Sequence, residues 1–209
     1  METRYLKYSK LSPEEGIRVS TYIYLFTRFL NLEYPNFDNW YDSLFENRFQ
    51  LKKEREIIIC QVDKDIAGVA ILKKSDSERK ICTLRVDRHY RHNGIGRHLM
   101  EMSFEVLEDE KPLITMHTSK YAQFSSLLKR YNFELEQRQK HYYSIFSTEL
   151  VFNGILPEKE IALNRIELVD FYSLIQDFLK TGSDNFEQYI NVFLAKCAER
   201  ERNRYLLEF

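Results

Sequence analysis

Residues 84–100 read Leu84-Arg85-Val86-Asp87-Arg88-His89-Tyr90-Arg91-His92-Asn93-Gly94-Ile95-Gly96-Arg97-His98-Leu99-Met100. A β-prone run gives way to a charged loop, then a turn with two of the chain's six glycines, then the start of an amphipathic helix. Glycine lets a backbone approach a ligand closely and point its N–H groups outward. The helix N-terminus behind the turn adds unpaired N–H donors and a positive dipole end, which together suit a phosphate or pyrophosphate. Arg91 and Arg97 add guanidinium partners for the same anion. Two familiar phosphate loops fail on specific residues. A P-loop needs Gly-Lys-Ser/Thr, and Gly96 is followed by Arg97-His98. The dinucleotide fingerprint needs a third glycine where Leu99 stands.

The elements around this stretch predict a mixed sheet. Tyr5 to Tyr8 reads as a short first strand. Ser12-Pro13-Glu14-Glu15 is a capping box with proline at the first helical position. The helix it opens is expected to run to about Leu32, with a second from about Asn36 to Lys53. Glu56 to Val62 and Ile66 to Leu72 form a hairpin about Asp63-Lys64-Asp65, and Ile81 to Val86 is a third strand. Gly94 to Leu107 carries Leu99, Met102, Ser103 and Val106 on one helical face. Pro112 to His117 is short and apolar, as a central strand is. A helix from about Tyr121 to Tyr131 and strands near Phe133 to Glu136 and Tyr142 to Phe152 follow. Antiparallel strands leading into a βαβ unit make an α/β protein with a mixed sheet covered by helices on both faces.

Composition bounds the rest. A length of 209 residues fits one domain with an addition. With 15 Phe and 14 Tyr the chain is too aromatic for disorder. The near balance of 31 basic and 32 acidic residues argues against nucleic acid as a partner. Cys60, Cys82 and Cys197 are odd in number and far apart, which reads as reduced thiols. No apolar h-region follows Met1, and the longest apolar runs are far too short to span a bilayer. The expectation is a soluble, cytoplasmic protein with no membrane partner. His89, His92 and His98 fit no common metal spacing, so no metal is expected.

Arg91-x-x-Gly94-x-Gly96 after an apolar strand resembles motif A of the GNAT superfamily of acyl-CoA-dependent N-acyltransferases. The hairpin containing Gly68, the helix carrying Leu99-Met100, the buried strand after it, and Asn132-Phe133 in the place of a Gly-Phe pair agree with that family's element order. The resemblance spans roughly residues 56–152 and implies a GNAT-like fold with a splayed pair of parallel strands. Acetyl-CoA would be the acyl donor. Backbone groups near Leu84 and Val86 would pair with pantetheine, and Arg91, His92, Asn93, Gly94, Ile95, Gly96 and Arg97 would hold the pyrophosphate. A primary amine would attack the thioester directly.

The family's proton-transfer groups do not carry over. The tyrosine used by many members as general acid falls at Leu128, and the position where some place a glutamate base is Lys80. Substitute candidates are His117, at the end of the central strand, and Tyr142 or Tyr143 beyond it. The departures motivate a second reading: a catalytically degenerate GNAT-fold protein that binds acyl-CoA and regulates or scaffolds. A third is an enzyme acylating aminoacyl-tRNA, against which the balanced charge speaks. Residues 1–154 are expected to form the acyltransferase domain and residues 155–209 a helical extension. Leu168, Phe171, Leu174, Ile175 and Phe178 give that extension one apolar face, and Tyr189, Ile190, Phe193 and Leu194 another. Those faces would cover the sheet, make a homodimer or act as a lid over the acceptor.

Overall fold

The structure is a computed structural model, and it describes residues 2–34, 36–47, 49–140, 142–143 and 148–157. The helical pair expected beyond residue 157, with Cys197, lies outside the described residues.

The elements are β1 (Thr3–Lys7), α1 (Pro13–Thr27), α2 (Phe37–Asp42), β2 (Arg55–Val62), β3 (Asp65–Lys74), β4 (Arg79–Val86), α3 (Ile95–Leu107), β5 (Leu113–His117), α4 (Tyr121–Arg130), β6 (Leu135–Lys140) and β7 (Thr148–Phe152). Single 3₁₀ turns follow β1, α1, β4 and β5. The seven strands lie in the order β1-β2-β3-β4-β5-β7-β6. All neighbouring pairs are antiparallel except β4 with β5. This is the mixed α/β architecture expected from the sequence.

The sheet is buried on both sides at its centre, which is why β2 and β3 read as nearly continuous apolar runs. Ile58, Cys60 and Val62 face one core with α3 and α4, while Ile57 and Ile59 face a second core with α1 and α2. Ile57, Ile58 and Ile59 are all 0% exposed, and each such burial contributes about 1.5–3 kcal/mol. Gly68 lets α3 sit close on β3: a Cβ there would lie 2.9 Å from Leu99 and 3.1 Å from Ile95.

Several boundaries differ from expectation. The Ser12–Glu15 capping box forms, but α1 ends at Thr27 and continues only as a 3₁₀ turn over Arg28–Leu32. The Thr27 hydroxyl donates to the Ile23 carbonyl at 2.7 Å, the back-bonding that weakens a helical ladder. α2 stops at Asp42 instead of reaching Lys53. Asn47 is the reason: its Oδ1 accepts from the Gln50 N–H at 3.1 Å and turns the chain back, so that Phe45 bridges Leu51. The sixth strand is displaced toward the C-terminus, to Leu135–Lys140, and the seventh ends at Phe152 as expected but starts at Thr148. The first strand starts at Thr3, where it pairs with Val62.

Candidate active site

β4 and β5 pair only at Lys80 with Leu113 and Ile81 with Ile114. Beyond that point β4 continues to Val86 and β5 to His117 with no ladder between them. A β-bulge marks the divergence: Ile81 pairs with Leu72 and Thr83 with Ile71, so Cys82 is the extra residue. Bulges bend a strand and raise its twist, and this one turns the second half of β4 away from β5. The edge of β4 facing the gap, with Leu84 and Val86, therefore keeps backbone groups available for an extended ligand.

One end of the gap leads to the loop quoted above. Asp87 caps the 3₁₀ turn by accepting from the His89 N–H at 2.9 Å. His92 and Gly94 then take left-handed backbone, φ 65° and 80°. Glycine adopts this conformation at no steric cost. Gly94 is the N-cap of α3 and has no side chain to occupy the helix end. The first helical bond is from the His98 N–H to the Gly94 carbonyl at 3.0 Å, so the N–H groups of Ile95, Gly96 and Arg97 have no partner within the helix. Arg91 folds back, its Nε 3.3 Å from the Val86 carbonyl, and Arg97 stands 4.0 Å from Glu101. His92, Asn93 and Gly94 are exposed. The N–H groups of Ile95, Gly96 and Arg97 and the side chains of Arg91 and Arg97 thus form a cationic crown, as an anion requires.

The opposite face of the sheet is built differently. Arg85 points there, its guanidinium 4.6 Å from the Phe26 ring and 3.6 Å from that of Phe29, with its Nε buried and unbonded. Tyr34 and Tyr143 meet edge to face at 4.9 Å, and Tyr142 meets Tyr143 at 4.8 Å. Burial raises the Tyr143 hydroxyl above its ordinary value, reinforced by Glu149. Glu149 on β7 lies opposite His117 on β5 and is 1% exposed. Burial pushes its carboxyl up to about 7, while the nearby Tyr34 hydroxyl acts the other way.

Among the sequence candidates, His117 and Tyr143 come together with Glu149, and Tyr142 touches Tyr143. His117 accepts the Ser119 N–H on Nδ1 at 3.2 Å, capping the turn after β5. Leu128, where the family tyrosine would stand, is 2% exposed in the core beneath α3. Tyr131 bonds Glu101 at 2.7 Å. Glu149, Tyr34 and Arg85 were missed in the sequence. An acidic residue in the apolar run Leu150-Val151-Phe152 was the one available signal for Glu149.

The profile of the Acetyltransferase (GNAT) family matches residues 24–127. The chain belongs to the GNAT family. Solved structures share its fold. One is a GNAT-family structure from Desulfovibrio desulfuricans, 15% identical, covering 72% of this chain and 97% of its own, with a TM-score of 0.54. Another is the ribosomal-protein-S18-alanine N-acetyltransferase of Escherichia coli, 15% identical, covering 76% and 99%, TM-score 0.51. A third is an acetyltransferase of Bacillus subtilis in complex with CoA, 14% identical, covering 74% and 100%, TM-score 0.50. At these identities the likeness is one of fold. In this GNAT chain the motif Arg91-x-x-Gly94-x-Gly96 sits at the N-terminus of α3, beside the splayed strands. No helix among the described residues is long and apolar enough to cross a membrane.

Proposed function

We propose that this GNAT protein transfers an acetyl group from acetyl-CoA to a primary amine by direct attack of the amine on the thioester. The observation that carries the reading is the end of β4–β5 pairing after Ile81, in line with an unpaired α3 N-terminus. Pantetheine lies along Leu84 and Val86 as an added strand. The pyrophosphate takes the N–H groups of Ile95, Gly96 and Arg97 and the side chains of Arg91 and Arg97. His92 and Asn93 bring the backbone to the same anion. Holding thioester and amine together removes much of the entropic barrier. A β4 N–H near Leu84 stabilises the developing oxyanion. His117, Tyr142 and Tyr143 line the acceptor side, where proton transfer takes place.

Leu128 in the core and Lys80 at the base position favour the second reading, an acyl-CoA-binding regulator without turnover. Release of CoA under multiple turnover with an amine separates the two. The cofactor site itself is tested by calorimetry of acetyl-CoA against wild type and an Arg91→Ala/Gly94→Glu double variant. The expected result is micromolar binding to wild type and a loss of about 100-fold or more in the variant. Equal affinity for both proteins refutes this placement of the pyrophosphate.

A further inference from the structure

Four polar or charged residues are buried among the described residues: Ser20, Thr27, Ser103 and Glu149. The three hydroxyls donate to carbonyls of their own helices, at 2.9, 2.7 and 2.7 Å. Glu149 has no such explanation, and its Oε2 is buried with no hydrogen-bond partner. A buried, half-satisfied carboxyl is costly, and such groups concentrate where a proton is handled.

Its surroundings fit that use. Glu149 faces the same side of the sheet as His117, its partner across the β5–β7 ladder, at the end of the strand that diverges from β4. Tyr34, from the segment after α1, stands close enough to the carboxyl to hold its proton affinity down, and near the backbone of His117. The charged groups around the carboxyl are Glu33 and Lys80, and Glu33 is itself held by Lys120 at 2.6 Å. Tyr143 stands beside Tyr34, and its hydroxyl bonds Thr115. Burial chiefly, then Glu149, raises the Tyr34 hydroxyl far above its ordinary value. Tyr34 therefore passes protons on and does not keep a charge. His117 is the less suited group, because its Nδ1 lone pair already caps the next turn.

Resting on the acetyltransferase reading, we propose that Glu149 takes the proton shed by the acceptor amine, with the Tyr34 hydroxyl as the relay between them. The ammonium gives one proton to Tyr34 Oη as the Tyr34 proton passes to the Glu149 carboxylate, so Tyr34 ends as it began. The freed nitrogen lone pair bonds the thioester carbon, and the C–S bond breaks with its electron pair on sulfur. The second proton, shed by nitrogen as the amide forms, goes to the departing thiolate and leaves the CoA thiol, and Glu149 then releases its proton to solvent. A carboxyl that titrates near neutrality suits both halves of this cycle.

The test uses the full chain with acetyl-CoA and two nucleophiles: ethylamine, an ammonium at neutral pH, and hydroxylamine, which is mostly uncharged there. Glu149→Gln is expected to slow ethylamine turnover about 100-fold or more. It should remove the acidic limb of the kcat profile and leave acetyl-CoA affinity unchanged. With hydroxylamine the loss shrinks to a few-fold. Tyr34→Phe slows ethylamine turnover about 10-fold or more but keeps the acidic limb. Equal slowing of both nucleophiles, or acetyl-CoA affinity that falls with the rate, overturns the proposal. Where wild type binds acetyl-CoA but acetylates neither amine, a carbon-13 titration of the Glu149 carboxyl decides. Titration near neutrality that shifts when acetyl-CoA binds supports the proposal. An ordinary glutamate value, or no response to acetyl-CoA, overturns it. Wild type that does not bind acetyl-CoA overturns the acetyltransferase reading instead.

Discussion

At the α3 end of the site, the groups suited to an anion come from one continuous stretch, residues 91–97, and much of it is exposed. At the other end Tyr34, Arg85, His117, Tyr143 and Glu149 come from separate parts of the chain, and Glu149 is fully buried. The first region works through backbone conformation: two residues with positive φ and a helix end without a side-chain cap. It asks little of the core. The second places a carboxyl where water does not reach it, and so trades stability for a tuned proton site. Substitutions at the two ends should therefore move binding and stability in different combinations.

The largest stability effect is expected at Glu149, and its sign follows from protonation. The folded carboxyl sits at about 7 against an ordinary value of 4.5. Between those values the folded state holds more proton than the unfolded state, so stability falls as pH rises through the window and is flat above it. Glu149→Gln carries no such charge. Its melting temperature should match wild type near pH 4.5 and exceed it by about 5 °C at pH 8, on the order of 2 kcal/mol. Calorimetric melts across that range check it. A variant less stable than wild type at pH 8 shows that the carboxylate is stabilised in the fold, and the contrast between the two regions fails.

Gly96 sharpens the contrast from the other side. A Cβ at this position would meet only Val86, at an ordinary 3.6 Å. Nothing in the fold itself demands glycine here. Gly96→Ala should raise stability slightly, by about 0.5 kcal/mol, because alanine is the better helix former. It should weaken acetyl-CoA about 10-fold, because the added methyl stands among the N–H groups that meet the pyrophosphate. Calorimetry and a thermal melt on the same sample measure both. Unchanged affinity means that the anion sits elsewhere.

The same division explains what the sequence disclosed. The crown was legible because its chemistry is local: Arg91, Gly94 and Gly96 lie at fixed short spacing and need only a strand before them and a helix after. Two-sided burial of β2 and β3 was legible because Ile57-Ile58-Ile59-Cys60 leaves no polar face. The end of α2 was not, since Phe37, Trp40, Leu44 and Phe45 keep helical spacing past Asp42, where the helix stops. The proton site was harder still. Tyr34 and Glu149 are 115 positions apart in the chain, and only the placement of β7 between β5 and β6 brings them together. The unusual protonation of Glu149 arises from burial, a property of the assembled sheet that no local window contains.

The smallest expected effect concerns His117, and it divides cap from base. Its Nδ1 accepts the Ser119 N–H at 3.2 Å and stands 2.7 Å from the Ser119 hydroxyl. Losing a cap of this kind costs about 0.5–1 kcal/mol, so His117→Ala should lower the melting temperature by a few degrees. Asparagine offers an acceptor oxygen close to the place of Nδ1 and should recover most of that loss. With Glu149 taking the proton, both variants keep kcat within about 3-fold once substrate is saturating, because the imidazole supplies none of the general-base acceleration. A fall of 100-fold in His117→Asn, with stability and acetyl-CoA affinity intact, would assign the proton to the imidazole Nε2. The orphaned carboxyl of Glu149 would then shape the acceptor side without taking part in the transfer.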